Sequence, residues 1–166
     1  MKIVQGSVWD FYDRGARVVV PTNCGWRADG SAVMGAGVAG EAAKRFPSLP
    51  DWYGAVLRML RAETPVVCHL RYRLVLFPTK PLDEEFPHLS WRQNADLGLI
   101  RRSASQLAVI PGEIALPLVG CGQGKLALRD VVPLLAEVLG DDRFVLVVGA
   151  DHAVAVADVV KGLTWD

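Results

Sequence analysis

Cysteine is scarce in this chain of 166 residues: Cys24, Cys68 and Cys121 are an odd number, far apart and without a Cys-x-x-Cys pair. That excludes a disulfide framework and a thiol-based zinc site, and a reducing, cytoplasmic setting fits best. His69, His88 and His152 are equally scattered. No metal motif is expected from them, and all three read as ordinary structural residues. Long apolar runs are also missing. None reaches the roughly 18 residues that a bilayer span requires, and Met1 to Gly6 lacks the apolar core of a signal peptide. No membrane association is expected. The 18 basic and 18 acidic residues cancel, which excludes a protein that coats nucleic acid indiscriminately through many phosphate contacts. Arg58, Arg61, Arg71, Arg73 and Lys80 do cluster, with only Glu63 among them, and read as a solvated face. There is no repeat, linker or low-complexity stretch.

What is present is apolar content: 51% of the residues are hydrophobic. One globular domain over residues 1–166 follows, large enough to bury roughly 70% of its unfolded surface. Lys2 to Gln5 and Arg17 to Pro21 read as strands, and the unbroken Val18-Val19-Val20 predicts burial on both faces. Asp51 to Arg61 has a helical stripe of Trp52, Val56 and Leu60, ended by Pro65. Pro65 to Leu70 and Tyr72 to Phe77 read as a strand pair, and Pro81 to Leu89 as a surface loop. Ser90-Trp91-Arg92-Gln93 has the form of a capping box ahead of the stripe Leu97, Ile100, Ala104 and Leu107. Glu113 to Val119 and Arg143 to Val148 are further strands. Asp130 is expected to cap a helix carrying Leu134, Leu135 and Val138, and Asp151 a last helix reaching Gly162. Strands alternating with helices in this way predict an α/β fold, a three-layer α/β/α sandwich around a mixed, mostly parallel sheet.

Two glycine-rich turns carry the chemistry. Met34-Gly35-Ala36-Gly37 runs into an amphipathic helix with Val38, Ala42 and Phe46 on one face. Backbone amides at a helix start, unobstructed by side chains, suit a phosphate. Gly120-Cys121-Gly122-Gln123-Gly124 follows the apolar run Ile114 to Val119, so two turns are available for two phosphates. Gly35, Gly37 and Gly40 also spell G-x-G-x-x-G, yet about a dozen residues, Thr22 to Val33, intervene after the preceding strand. No acidic residue ends a second strand at the expected distance either, so a Rossmann site is not supported. The long polar loop Thr22 to Val33 is of a length that commonly serves function.

Pro21-Thr22-Asn23, Met34-Gly35-Ala36-Gly37-Val38-Ala39, Phe46-Pro47, Phe77-Pro78-Thr79-Lys80 and Leu116-Pro117-Leu118-Val119-Gly120-Cys121-Gly122 occur in one order. In that order they resemble the macrodomain family, from Gln5-Gly6 to about Val148. The resemblance is greatest to the branch of the terminal ADP-ribose protein glycohydrolase and of the antitoxin that reverses DNA ADP-ribosylation. It implies an ADP-ribosylglycohydrolase without cofactor. ADP-ribose would be bound by Ser7, Val8, Thr22, Asn23, Met34, Gly35, Ala36, Gly37, Val38, Thr79, Gly120, Cys121, Gly122, Gln123, Gly124 and Lys125. Asn23 is similar to the family asparagine that hydrogen-bonds the distal ribose. Lys80 would be catalytic, attacking or electrostatically assisting at the anomeric carbon, and an amine can attack only if burial or neighbouring cations lower its pKa. The implied partners are ADP-ribosylated DNA or protein and a separate ADP-ribosyltransferase toxin, with the chain itself a monomer.

Departures from the family pattern are equally specific. Ser7 stands where an acidic residue usually meets the adenine amino group, and Gly124 where the protein glycohydrolase has an acid. The Cys24 to Val33 loop is longer than in either relative. Arg27 and Asp29 are candidate substrate contacts there, although Asp29-Gly30-Ser31 also reads as a plain turn. Trp91 and Arg92 read equally as pocket or as core. Cys24 and Cys121 have no identifiable histidine partner and read as small packing residues. The alternatives to hydrolysis are a non-catalytic ADP-ribose reader and an ADP-ribose 1″-phosphate phosphatase, the latter needing a histidine or acid at the distal phosphate.

Overall fold

The computed structural model describes residues 1–163. Strand β1 (Lys2–Gln5) is followed by α1 (Val8–Asp13), β2 (Arg17–Asn23), α2 (Gly37–Arg45), α3 (Leu49–Leu60), β3 (Val67–His69) and β4 (Leu74–Lys80). A 3₁₀ helix (Pro87–Arg92) then leads to α4 (Leu97–Leu107), β5 (Ile114–Pro117), α5 (Leu128–Val138), β6 (Phe144–Val148) and α6 (Ala150–Lys161). The sheet order is β1-β6-β5-β2-β4-β3. Every pairing is parallel except β3 with β4, so the expected mixed, mostly parallel sheet is present.

Alternation along the strands divides the core in two. Val18, Val20, Leu74, Leu76 and Val145 face α1, α2 and α3. Val19, Val75, Phe77, Leu116 and Leu146 face α4, α5 and α6. Central strands are therefore buried on both faces, which is why β2 and β6 read as continuous apolar runs rather than alternating ones. β1 lies at an edge and is exposed along its length.

Several boundaries differ from expectation, each for a local reason. Ser90 is not a cap: it is fully buried inside the 3₁₀ helix, whose first position is Pro87. The helix behind it starts at Leu97, and Asp96 Oδ1 accepts from Leu99 N at 2.6 Å. Pro81 to Leu89 is consequently not all loop. Asp130 and Asp151 lie within the first turns of α5 and α6, whose caps are Ala127 and Gly149; there the carboxylates meet the positive end of the helix rather than a cap amide. Helix α1 was not expected. Its signal is Ser7-Val8-Trp9-Asp10, a capping box in which aspartate takes the place of the usual glutamate. Strand β2 runs past Pro21 to Asn23, β4 runs past Phe77 to Lys80, and β3 is shorter than expected.

The caps differ measurably in weight. Asp96→Ala should cost about 1 kcal/mol in denaturant unfolding, whereas Asp130→Asn and Asp151→Asn, which lose only a dipole interaction, should each cost about 0.5 kcal/mol or less.

Candidate functional site

Strand β2 continues into α2 on one face of the sheet, and its neighbour β5 continues into α5 on the other. Connections diverging from adjacent parallel strands leave a crevice beyond their carboxyl ends, the usual ligand position in such sheets. A cleft of about 1050 Å³ lies there, lined by the ends of β2, β4 and β5 and the loops that follow them.

The first glycine turn forms one wall. Ala36, the N-cap of α2, supplies no side-chain acceptor, and the first internal amide bond runs from Gly40 N to Ala36 O at 3.0 Å. The amides of Gly37, Val38 and Ala39 thus have no partner within the helix, and all three residues line the cleft. A Cβ on Gly35 or Gly37 would meet nothing within 4 Å, and Gly37 has φ +55°. The second turn forms the opposite wall. Leu126 N donates to Gly120 O and Lys125 N to Gly122 O, both at 3.0 Å, and Ala95 N donates to Gly124 O at 3.0 Å. A Cβ on Gly124 would collide with the Gly120 carbonyl and sit 2.6 Å from Ala95 Cβ. Glycine at 124 is therefore demanded by packing, and no acidic side chain fits in this geometry.

Lys80 lies at the end of β4, paired in register with Asn23. Its Nζ donates to Trp91 O at 2.7 Å and to Gln123 O at 3.1 Å, so the lysine ties the 3₁₀ helix to the second glycine turn. Partial burial, reinforced by Lys125, pushes its pKa below the ordinary lysine value. Asn23 is half-buried, and its amide accepts from Gly25 N at 2.9 Å and donates to Val33 O at 3.0 Å. It thereby closes the loop between them while lining the cleft.

That loop is an ordered finger. Trp26 bridges Ala32, and Arg27 N donates to Ser31 O at 2.8 Å. Asp29 Oδ1 accepts from both Ser31 N and Ser31 Oγ. These bonds hold the Asp29 carboxyl below the usual range and make it a turn residue. Ala32 N donates to Pro50 O at 2.8 Å, mooring the finger to α3. Its Arg27 and Ala28 line the cleft. At its root, Gly25 packs so closely on the 3₁₀ helix that a Cβ would collide with the Pro87 carbonyl and lie 2.6 Å from Ser90 Oγ. Ser90 in turn donates to Pro87 O at 2.8 Å and accepts from Asp83 N at 2.9 Å. This packing fixes the helix that presents Trp91 O to Lys80.

Of the residues expected at the site, Thr22, Asn23, Gly35, Ala36, Gly37, Val38, Thr79, Lys80, Gly120, Gly122, Gln123 and Gly124 converge on the cleft. Ser7, Val8, Met34, Cys121 and Lys125 are not among its lining. Ser7 Oγ accepts from Trp9 N as the cap of α1, and Val8 and Met34 are buried in the core. Burial pushes the Cys24 and Cys121 thiols up to about 11, which removes thiolate character near neutral pH. His69 is held in an aromatic stack with Tyr72. His88, read from sequence as ordinary, lines the cleft beside Trp91, which is 45% exposed; only the turn of the 3₁₀ helix brings them there. Arg92 lies over the Trp91 ring. Among the described residues no Asp or Glu lines the cleft, no group of three or more metal-ligating side chains converges, and no helix is long and apolar enough to cross a membrane.

Solved structures share this architecture. The macrodomain of Thermus aquaticus DarG aligns with 22% identity and a TM-score of 0.64, over 89% of this chain and 96% of that one. The macrodomain of Mycobacterium tuberculosis DarG aligns with 22% identity and a TM-score of 0.62, over the same shares. Thermosipho africanus DarTG in complex with ADP-ribose aligns with 19% identity and a TM-score of 0.64, over 89% of this chain. This chain spans 40% of the length of the Thermosipho protein. No protein-family model and no curated protein matches the sequence. The chain has the macrodomain fold.

The two glycine turns should answer differently to an added side chain. Gly124→Ala, which collides with backbone, is expected to cost about 1–3 kcal/mol in unfolding experiments, whereas Gly35→Val, whose Cβ enters open space, should leave the melting temperature close to wild type.

Proposed function

We propose that the cleft binds ADP-ribose and that the chain hydrolyses the glycosidic bond joining it to a nucleobase or to an acidic side chain, with Lys80 at the anomeric carbon. One observation carries the reading. Two side-chain-poor turns line one cleft, the first with helix-start amides that have no partner within the helix, and Lys80 lines it with them while donating to Gln123 O of the second turn. The amides of α2 and of the second turn would hold the diphosphate, the helix start adding partial positive charge. The ADP-ribose in the Thermosipho complex, a protein of the same fold, supports that ligand.

The hydrogen bonds of Lys80 define what its nitrogen can do. Two of its tetrahedral positions carry N–H groups directed to Trp91 O and Gln123 O. The remaining position is a third N–H in the ammonium and a lone pair in the amine. As an amine, Lys80 attacks the anomeric carbon, and the bond to the leaving group breaks with its electron pair departing on the base or carboxylate. Loss of a proton from nitrogen and opening of the ribose ring give a Schiff base. Water then hydrolyses it, releasing ADP-ribose and restoring the amine. As an ammonium, Lys80 instead stabilises the departing negative charge. Beyond the lysine, Trp91, His88 and Arg27 also line the cleft; the aromatic rings would suit a nucleobase and the guanidinium a carboxylate.

A non-catalytic reader is the second reading, favoured by the absence of any carboxylate from the described lining. His88, which lines the cleft, is the candidate histidine for phosphatase action on ADP-ribose 1″-phosphate. The protein and its Lys80→Ala variant should be incubated with ADP-ribosylated single-stranded DNA, with glutamate-ADP-ribosylated protein and with ADP-ribose 1″-phosphate, and product release followed. Hydrolysis of either conjugate, lost in Lys80→Ala while calorimetric ADP-ribose binding persists, is the expected result. Binding without turnover would establish the reader, and phosphate release dependent on His88 the phosphatase.

The pH dependence separates the two roles of the lysine. Because its pKa is lowered from 10.5, the amine fraction grows as pH rises towards that value. A nucleophilic Lys80 gives a rate limb that rises with pH and has its midpoint below 10.5; an electrostatic Lys80 gives a limb that falls over the same interval.

A further inference from the structure

β2 and β4 pair in step from Val18 with Leu74 to Thr22 with Pro78, and the register then shifts so that Asn23 pairs with Lys80. β4 holds one more residue than β2 over this stretch, and the unpaired one is Thr79. A bulge of this kind changes which face of the sheet every later residue occupies. In unbroken register Asn23 would pair with Thr79, and Lys80 would fall on the face of Thr22, whose hydroxyl lies 3.0 Å from the buried Tyr53 hydroxyl. The bulge instead places Lys80 on the face of Asn23.

Several partners hold this bulge, and the side-chain partner contributed by the bulge itself is Thr79. Its Oγ1 donates to Thr22 O at 3.1 Å, with both residues buried. Its own carbonyl accepts from Asp96 N at 2.9 Å, outside the ladder. The preceding carbonyl, of Pro78, accepts from the buried Ser103 Oγ at 3.0 Å. Pro78 has no N–H to give to a ladder, and proline inside a sheet is tolerated at such irregularities. The Thr79 hydroxyl is thus committed to backbone within the sheet, although the residue borders the cleft.

We propose that Thr79 is a positioning residue: its hydroxyl, bonded to the Thr22 carbonyl, maintains the bulge that directs Lys80 to the face of Asn23, between Trp91 O and Gln123 O. The inference rests on the reading of Lys80 as the group that meets the sugar, but the placement of Lys80 can be tested without turnover. In protein labelled with ¹⁵N at lysine Nζ, the Lys80 ammonium, held by two carbonyls, should give a signal protected from solvent exchange and assignable by its loss in Lys80→Arg. Thr79→Val, which keeps the shape and removes the donor, should lose that protection with the fold intact, and Thr79→Ser should retain it. If wild type hydrolyses ADP-ribosyl conjugates, Thr79→Val should lower kcat by about a hundred-fold and Thr79→Ser should restore it. Should wild type turn nothing over, the enzymatic reading fails and the signals alone decide the placement.

Protection kept in Thr79→Val, protection lost in Thr79→Ser, or no protected Lys80 signal in wild type would each overturn the proposal. If Thr79→Val does not fold, Thr79→Ala replaces it, with the same loss expected. Failure of both to fold would also overturn it, because the hydroxyl would then serve the whole domain rather than the placement of one residue.

Discussion

The contact between Lys80 Nζ and the carbonyls of Trp91 and Gln123 is the point on which the cleft depends. A lysine at a strand end ordinarily extends into water, where its charge is best solvated and its rotamers are free. Here it is drawn back between two loops, and each loop must be anchored for the contact to persist. The 3₁₀ helix is anchored by the fully buried Ser90, bonded to Pro87 O and Asp83 N, and by the close approach of Gly25. The second turn is anchored by the bonds of Gly120, Gly122 and Gly124 to Leu126, Lys125 and Ala95.

The glycines of the site divide into two physical kinds. Gly25 and Gly124 are required because backbone or a buried side chain occupies the space a Cβ would need, and they hold walls together. Gly35, Gly37 and Gly122 face open space; their lack of a side chain keeps amides accessible and leaves the cleft its volume. The second kind is what the proposed phosphate contact relies on, since an amide reaches a phosphate closely only where no side chain intervenes. The first kind explains why Gly124 is not a displaced acid but a consequence of turn packing.

Beneath the walls lies a doubly buried parallel sheet whose connections diverge at β2 and β5. The divergence produces the crevice, and the ordered finger from Cys24 to Val33 bounds it on one side. Because the finger is bonded across itself and to Pro50, it acts as a fixed rim. Arg27 and Ala28 of that rim and His88 and Trp91 of the 3₁₀ helix line the cleft together with Lys80.

Much of this was legible in one dimension. Apolar runs such as Val18-Val19-Val20 imply doubly buried strands because burial on both faces leaves no room for polar alternation, and the glycine turns could be placed because their lack of side chains is a local property of the chain. Lys80 and Asn23 were legible by resemblance, through the motifs that carry them. The capping residues were not, since Ser90, Asp130 and Asp151 satisfy the same local pattern as a true cap, and packing chose Asp96, Ala127 and Gly149 instead. Likewise His88 entered the cleft, and Ser7, Val8 and Met34 stayed out of its lining, because a side chain's neighbours depend on how distant segments dock. By itself the sequence determined the layers, the glycine turns and the residues available to them, all of which follow from short-range pattern and backbone freedom. Only the tertiary structure decided which face Lys80 occupies, because that depends on one extra residue in β4 measured against β2, a relation between strands that neither strand contains alone.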